Sequence, residues 1–327
     1  MVLTKDIKDI SGLFCENTDL VIFENLLDVL GNDNCAAFIG AGISKISGYP
    51  LTNELIEHIR NRSDVSAKEL DARTDFRDKA SLLHERMGDE FFEALFSRFD
   101  SNVFDINSSV ATQEHLVHLP FKSYITTNYD SCITDAATLQ NITFEDIQCY
   151  PNFSILNLGR FATYQIHGRI GQKDVVFTSA SYDQAYSAKS RLPLLLNGLF
   201  DTYDFLFLGF GLEEPTLEAI LALCKLREEY STYWGSDATQ TRRRFALLPI
   251  FEEDLDENKY SLEQIQAHIE KIRQKDHLMN RNYGIMGIRY FANKHHSQLR
   301  KIVEHMYKIF GRRPTEKLRL LEPEVEI

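Results

Sequence analysis

Four short motifs carry residue types that could do chemistry, and each directly follows an apolar run. In chain order they are Gly40-Ala41-Gly42-Ile43-Ser44, Thr127-Asn128-Tyr129-Asp130, His167-Gly168 and Gly209-Phe210-Gly211. Glycines at a strand end let the backbone turn tightly and approach a ligand with no side chain between them. The N–H groups of the first turn and of the next helix start are expected to point outward as an anion site. The full G-x-G-x-x-G is absent, because Lys45 holds the third glycine position. Taken alone, the motif equally describes a plain glycine turn in an α/β sheet. Asn128 and Asp130 read either as turn formers and helix caps or as ligand-facing groups at the carboxyl edge of a parallel sheet. His167 reads either as a satisfied polar residue or as an acid–base group.

Such residues can meet only if several strands end side by side. Ala36–Ile39, Ser123–Thr126, Ala162–Ile166 and Asp204–Leu208 precede the four motifs, and Phe245–Ile250 and Gly287–Phe291 extend the series. Asp174–Thr178 is a further strand candidate. Helical spacing of apolar residues marks Leu20–Leu30, a helix from Leu51, Ala80–Met87, Phe91–Phe99, a helix from Ser131, Ser181–Phe200, a helix opened by Glu214-Pro215, Ser261–Arg273 and Ser297–Phe310. Strands alternating with helices predict an α/β fold with a mostly parallel sheet flanked by helices. Residues 60–120 are charge-rich and lack a convincing strand, so they are expected to form a helical insertion between two strands. One domain is expected over residues 1–315, with 316–327 a polar tail.

At 327 residues and 43% apolar content the chain can bury a sizeable core. Its 36 basic and 48 acidic residues give a net charge of −12, which argues against broad electrostatic binding to nucleic acid. The one dense basic run, Arg242-Arg243-Arg244, reads as a solvated strand edge. Five scattered cysteines with no C-x-x-C pair argue against a zinc ribbon and fit a reducing compartment. There is no charged-then-apolar leader, and no apolar run approaches the roughly 18–20 residues of a membrane span. A soluble cytoplasmic protein is expected.

In this order, each after an apolar strand, the four motifs resemble the sirtuin-type NAD-binding domain. More closely, the chain is similar to the sirtuin-like NAD hydrolases that serve as effectors of bacterial antiphage defence. Gly48-Tyr49-Pro50, Thr126-Thr127-Asn128-Tyr129-Asp130, the block from Ser181-Tyr182-Asp183 to Gly211, the last strand and Ser297-Gln298-Leu299 carry this resemblance over roughly residues 20–310. It implies a Rossmann-like sheet and cleavage of NAD to nicotinamide and ADP-ribose or a cyclic form, with NAD as substrate and no metal. It assigns Gly40, Ala41, Gly42 and Ser44 to the phosphates, and Asn128 to a ribose hydroxyl or the attacking water. Asp130 would engage the nicotinamide side or orient Asn128. His167 would be the general base, as an imidazole titrating near working pH. Gly209 and Gly211 would admit the adenosine half, and Pro50, Thr127 and Glu214 complete the expected NAD-contacting set.

The chain also departs from the deacylating sirtuins. It lacks their zinc ribbon, and Pro50 leads into Leu51-Thr52-Asn53 where they carry an Asp-Phe-Arg. Their peptide-gripping module is replaced by the insertion at 60–120, and Glu213 and Glu214 stand where the defence subgroup commonly has an aspartate. An NAD-dependent protein deacylase or ADP-ribosyltransferase is the alternative that these absences disfavour. A non-catalytic nucleotide-binding assembly module is the alternative that Asn128 and His167 disfavour. An unrestrained NAD hydrolase would kill its host, so a homo-oligomer and/or a separate sensor or ATPase subunit is expected. Phe76, Leu82, Leu83, Phe91, Phe92, Leu95, Phe96 and Phe99 offer the insertion either an assembly surface or a core of its own.

Overall fold

The computed structural model describes residues 10–99, 111–155, 158, 160–211, 215–233, 242–293 and 297–311. Seven strands form one sheet: β1 (Cys35–Ile39), β2 (Phe121–Thr126), β3 (Asp146–Cys149), β4 (Ala162–Gln165), β5 (Asp204–Leu208), β6 (Arg244–Phe251) and β7 (Ile285–Ala292). Their order is β3-β4-β2-β1-β5-β6-β7, and all six pairings are parallel. The expectation of a mostly parallel, Rossmann-like sheet is borne out. The chain first builds outward from β1 through β2, then crosses to the other side of β1 at β5. The carboxyl end of β1 is therefore the topological switch point, where open α/β sheets bind ligands.

Alternation along the central strands divides the core between the two faces. Ala37, Ile39, Leu206 and Leu208 meet one layer, made of α1 (Asn17–Gly31) with Phe23, Leu26 and Leu30, and a C-terminal helix at Ser297–Phe310 with Ile302, Val303 and Met306. Ala36, Phe38, Phe205 and Phe207 meet the other, which includes Leu196, Leu199 and Phe200 of the helix Leu192–Thr202 and Leu217 and Leu221 of the helix Pro215–Tyr233. Each buried Leu or Phe side chain contributes about 1.5–3 kcal/mol, which is why these short strands need no help from propensity alone.

Four helices follow β1: α2 (Ala41–Ile46), α3 (Thr52–Arg60), α4 (Ala67–Asp71) and α5 (Phe76–Met87). After them comes α6 (Glu90–Ser97). The helix expected from Leu51 is α3, whose N-cap is Leu51, and α2 is an additional short helix that opens immediately after Gly40. The insertion has its own small core, in which Leu55, Ile59, Leu83, Phe91, Leu95 and Phe99 close on Val175 and Phe177. Phe76, Leu82, Phe92 and Phe96 are half-buried against it. Its large apolar side chains are thus used internally. The next helix, α7 (Ala111–Val117), belongs to the main core through Leu116 and Val117. Residues 100–110 of the expected insertion and the tail at 316–327 lie outside the described residues.

Three expectations are corrected. Asp174–Thr178 is not a strand; Val175 and Phe177 plug the insertion core, Val176 joins the main core, and its N–H donates to the His167 carbonyl (2.9 Å). The span Ser181–Phe200 is two helices, α9 (Ser179–Ala185) and α10 (Leu192–Thr202), following α8 (Cys132–Leu139). The basic run is not a solvated edge throughout, because Arg244 is fully buried in β6 and paired with Glu228 (2.6 Å).

Candidate active site

Strand register brings the motifs together. Ile39 aligns with Thr126 and with Leu208, and Thr126 aligns with Gln165. Gly40, Thr127, His167 and Gly209 therefore leave the sheet along one carboxyl edge. A cleft of about 1030 Å³ opens there, lined by Ala41, Gly42, Ser44, Pro50, Thr127, Asn128, Asp130, His167, Gly209 and Gly211. Of the other expected contacts, Gly40 is not among the residues lining the cleft and Glu214 falls outside the described residues.

The two glycine turns pack backbone to backbone. A Cβ on Gly40 would stand 2.5 Å from the Gly209 carbonyl oxygen, and one on Gly42 would stand 2.9 Å from Gly209 Cα. Gly209 itself has φ +60° and faces Ile43 N. This close approach explains the glycines, and it turns the N–H groups of Gly40, Gly42 and Ile43 inward, away from the expected anion site. Gly40 N–H donates to the Leu208 carbonyl (2.9 Å), Gly42 N–H to the Gly209 carbonyl (2.8 Å) and Ile43 N–H to the Gly40 carbonyl (3.2 Å). The first two tie the end of β1 to the end of β5, the third closes the turn between β1 and α2, and all three are already satisfied. Gly211 is different, since a Cβ there would meet nothing within 4 Å.

Asn128 is fixed by a chain of bonds across the ends of β1 and β2 and the first turn of α2. Its N–H donates to Thr126 Oγ1 (3.0 Å), whose hydroxyl donates to the Ile39 carbonyl (2.9 Å). Its Nδ2 donates to the Gly40 carbonyl (3.1 Å) and to Ser44 Oγ (2.9 Å). Asn128 Oδ1 is buried without a hydrogen-bond partner among the described residues, a costly state for an amide oxygen unless a ligand or water completes it. Asp130 caps helix α8, accepting from Cys132 N–H (3.1 Å), and also bonds the Ser44 hydroxyl. Burial pushes its carboxyl above the usual range, opposed by those hydrogen bonds. Asp130 thus meets the first N–H of α8 and lies one hydroxyl, that of Ser44, from Asn128.

His167 follows β4 on a tight turn closed by Gly168 at φ +88°. Only 2% of it is exposed. Helix α9, capped by Thr178 and Ser181, presents Tyr182 and Tyr186 one turn apart on the same face. The Tyr182 ring meets the imidazole edge-on at 5.1 Å, and Tyr186 Oη lies 2.8 Å from Nε2. Burial lowers the imidazole pKa to about 3. The ring is therefore held neutral, in contrast to the expected titration near working pH.

The sequence reading also passed over Asp75-Phe76-Arg77, all three of which line the cleft. Asp75 caps α5 and forms an ion pair with Arg77, whose guanidinium sits 5.4 Å over the Tyr182 ring. Phe76 packs edge-on against the same tyrosine at 5.9 Å. The tripeptide reaches the cleft from beyond α4, far along the chain from Pro50. Past Gly211 the cleft continues along β6 and β7, over Leu248, Pro249, Arg289 and Tyr290. All five cysteines are free thiols. Among the described residues, no group of three or more His, Cys, Asp or Glu side chains could hold a metal, and no helix is long and apolar enough to cross a membrane.

The segment that carries Asn128 and His167 at adjacent strand ends matches a known family model. Residues 122–271 match the SIR2-like domain, a segment that carries Asn128, Asp130 and His167. Among individual proteins, the chain is similar to NAD(+) hydrolase ThsA of Cytobacillus dafuensis, 27% identical over 212 residues, 62% of this chain and 40% of that protein. It is also similar to NAD(+) hydrolase ThsA of Acinetobacter baumannii (strain 532279), 26% identical over 217 residues, 65% of this chain and 44% of the relative. The ThsA of Bacillus cereus (strain MSX-D12) is 28% identical over 207 residues, 61% and 41% of the two chains. The chain thus spans about two fifths of the length of these curated relatives. The crystal structure of a Sir2 homologue–NAD complex covers 88% of this chain and 94% of its own at 13% identity, with a TM-score of 0.41. The sirtuin-like resemblance read from the four motifs is borne out by the domain and relative matches.

Proposed function

We propose that the protein is an NAD glycohydrolase, cleaving NAD to nicotinamide and ADP-ribose in linear or cyclised form. The observation that carries this reading is the placement of Asn128 and His167 at the carboxyl ends of neighbouring strands on one cleft of about 1030 Å³, ample for a dinucleotide. The naming of similar proteins as NAD(+) hydrolases supports it.

In the hydrolysis, the bond from the ribose anomeric carbon to the nicotinamide nitrogen breaks and its electron pair leaves with neutral nicotinamide. The ribose passes through an oxocarbenium-like state, and water oxygen forms the new bond. One water proton must depart. Asn128 Oδ1, without a hydrogen-bond partner among the described residues, accepts from a ribose hydroxyl or from that water. His167, held neutral, takes the proton and releases it readily because its conjugate acid is strong. The Asp130–Ser44 pair keeps Asn128 aimed, and Arg77 supplies positive charge toward the pyrophosphate or ribose side. Pro50, Thr127 and Gly211 complete the wall around the substrate.

The biological role proposed is an effector of antiphage defence acting by NAD depletion in the cytoplasm. Its restraint would come from self-assembly or from a separate sensor or ATPase subunit. NAD consumption by the purified protein, with and without an acylated peptide, tests the reaction. Cleavage independent of peptide is expected; turnover only with peptide would replace this reading by deacylation. Specific activity should rise with protein concentration or on adding the partner, and full activity of a dilute monomer would refute the assembly requirement.

A further inference from the structure

Tyr186 belongs to neither the four strand-end motifs nor the residues lining the cleft. Yet its hydroxyl lies 2.8 Å from His167 Nε2, within hydrogen-bond distance. The placement is built from the helix upward. Thr178 and Ser181 cap α9 reciprocally, fixing where its first turn starts. Tyr182 and Tyr186, four residues apart, then share a face and stack at 5.9 Å with 6° between their planes. Both rings stand edge-on to His167, at 5.1 and 6.0 Å. Arg77 covers Tyr182 from the cleft side. The imidazole is thereby held in one plane by two aromatic edges, with one nitrogen assigned to a hydroxyl.

We infer that Tyr186 is a positioning residue: it accepts a hydrogen bond from His167 Nε2–H, fixing the tautomer in which Nδ1 is the nitrogen that takes a proton. A neutral imidazole has one donor and one acceptor nitrogen, and the bond to the donor decides which atom is basic. When Nδ1 gains its proton, Nε2–H keeps its acceptor, so the buried imidazolium is not left with an unpaired donor. Tyr186 never touches substrate and acts only through His167.

The catalytic consequence rests on the NAD glycohydrolase reading; the tautomer does not. The first measurement is therefore ring ¹⁵N NMR of the wild-type protein labelled at histidine, with His167 assigned by its loss in His167→Gln. A protonated Nε2 and an unprotonated Nδ1 are expected, and the opposite tautomer would overturn the inference whether or not the protein cleaves NAD. The second is Tyr186→Phe, which keeps the ring stack and removes only the hydroxyl. Its kcat should fall by about tenfold or more, part of the roughly 10²–10⁴-fold that a positioned acid–base group supplies, with KM for NAD unchanged. The His167 ring signals should split between tautomers. Wild-type kcat in folded Tyr186→Phe, or an increase in kcat, would refute the positioning role, the increase marking Tyr186 as an inhibitory latch instead. If wild-type protein shows no NAD cleavage, the functional reading fails and the tautomer result still stands on its own.

Discussion

Asn128 Nδ2 donates to Ser44 Oγ at 2.9 Å, joining residues 84 positions apart in sequence. That bond ties the end of β2 to the first turn of α2, beside the switch point of the sheet. Replacing Asn128 by Ala should leave the fold intact at a cost of about 1–3 kcal/mol, since Ser44 and the Gly40 carbonyl lose a buried donor. NAD cleavage should fall by at least about 10²-fold, as it should in His167→Ala. Near-wild-type turnover in either folded variant would remove that residue from the catalytic set.

The glycine motifs call for two contrasting substitutions. Gly42→Val drives a side chain into the Gly209 backbone, so it should lower the melting temperature or block folding outright. Gly211→Ala meets nothing within 4 Å and should leave thermal stability unchanged while weakening NAD affinity. Paired thermal melts and calorimetric titrations check both. Unchanged affinity in Gly211→Ala would mean that the substrate does not come close to this backbone.

Arg77 is expected to act on substrate rather than on stability. Its pair with Asp75 is partly solvated, so Arg77→Ala should cost at most about 1 kcal/mol of folding free energy. Loss of a charged hydrogen-bond donor to the substrate should lower kcat/KM by about 10- to 100-fold. Steady-state kinetics that match the wild type would leave Arg77 as a support for Tyr182 alone.

Burial of neutral His167 makes a pH prediction with a definite sign. A histidine in the unfolded chain titrates near 6.5 and the folded one near 3, so between those values the unfolded state holds the extra proton. Stability therefore rises with pH across that window, by up to about 1.4 kcal/mol per pH unit from this group, and the full contribution is present above 6.5. Urea unfolding of wild type and His167→Gln from pH 4.5 to 7 should show a shallower slope in the variant. Identical slopes would contradict the neutral, buried imidazole.

What the sequence disclosed tracks how strongly each segment is constrained by burial. β1 and β5 are legible because all five residues of each are buried between two helical layers. β3 was missed because Asp146-Ile147-Gln148-Cys149 is an edge strand with Ile147 largely exposed, and it lacks an apolar run. Val175, Val176 and Phe177 looked like a strand because side chains that plug a core are the same types that fill a sheet. The four motifs were found, with the carboxyl edge they share. Two features needed coordinates: the glycine amides satisfy one another, and Tyr186 reaches His167. Asp75-Phe76-Arg77 was readable all along, but its distance from Pro50 hid it.

The insertion core bears on how this protein could be shortened. Phe91 packs on Phe177 with ring centroids 6.1 Å apart, and Phe177 in turn meets Tyr129, the residue beside Asn128, at 6.0 Å. Tyr129 Oη donates to the Val176 carbonyl (2.7 Å), and Val176 N–H donates to the carbonyl of His167. Helices α4 to α6 are consequently a retaining wall and not a detachable ornament. Trimming residues 67–97 to reach a minimal enzyme would strip the backing from the segment that braces both catalytic turns. A smaller scaffold should be sought elsewhere in the chain, at the exposed end of the helix Leu262–Tyr283 for example, where Leu262 faces solvent.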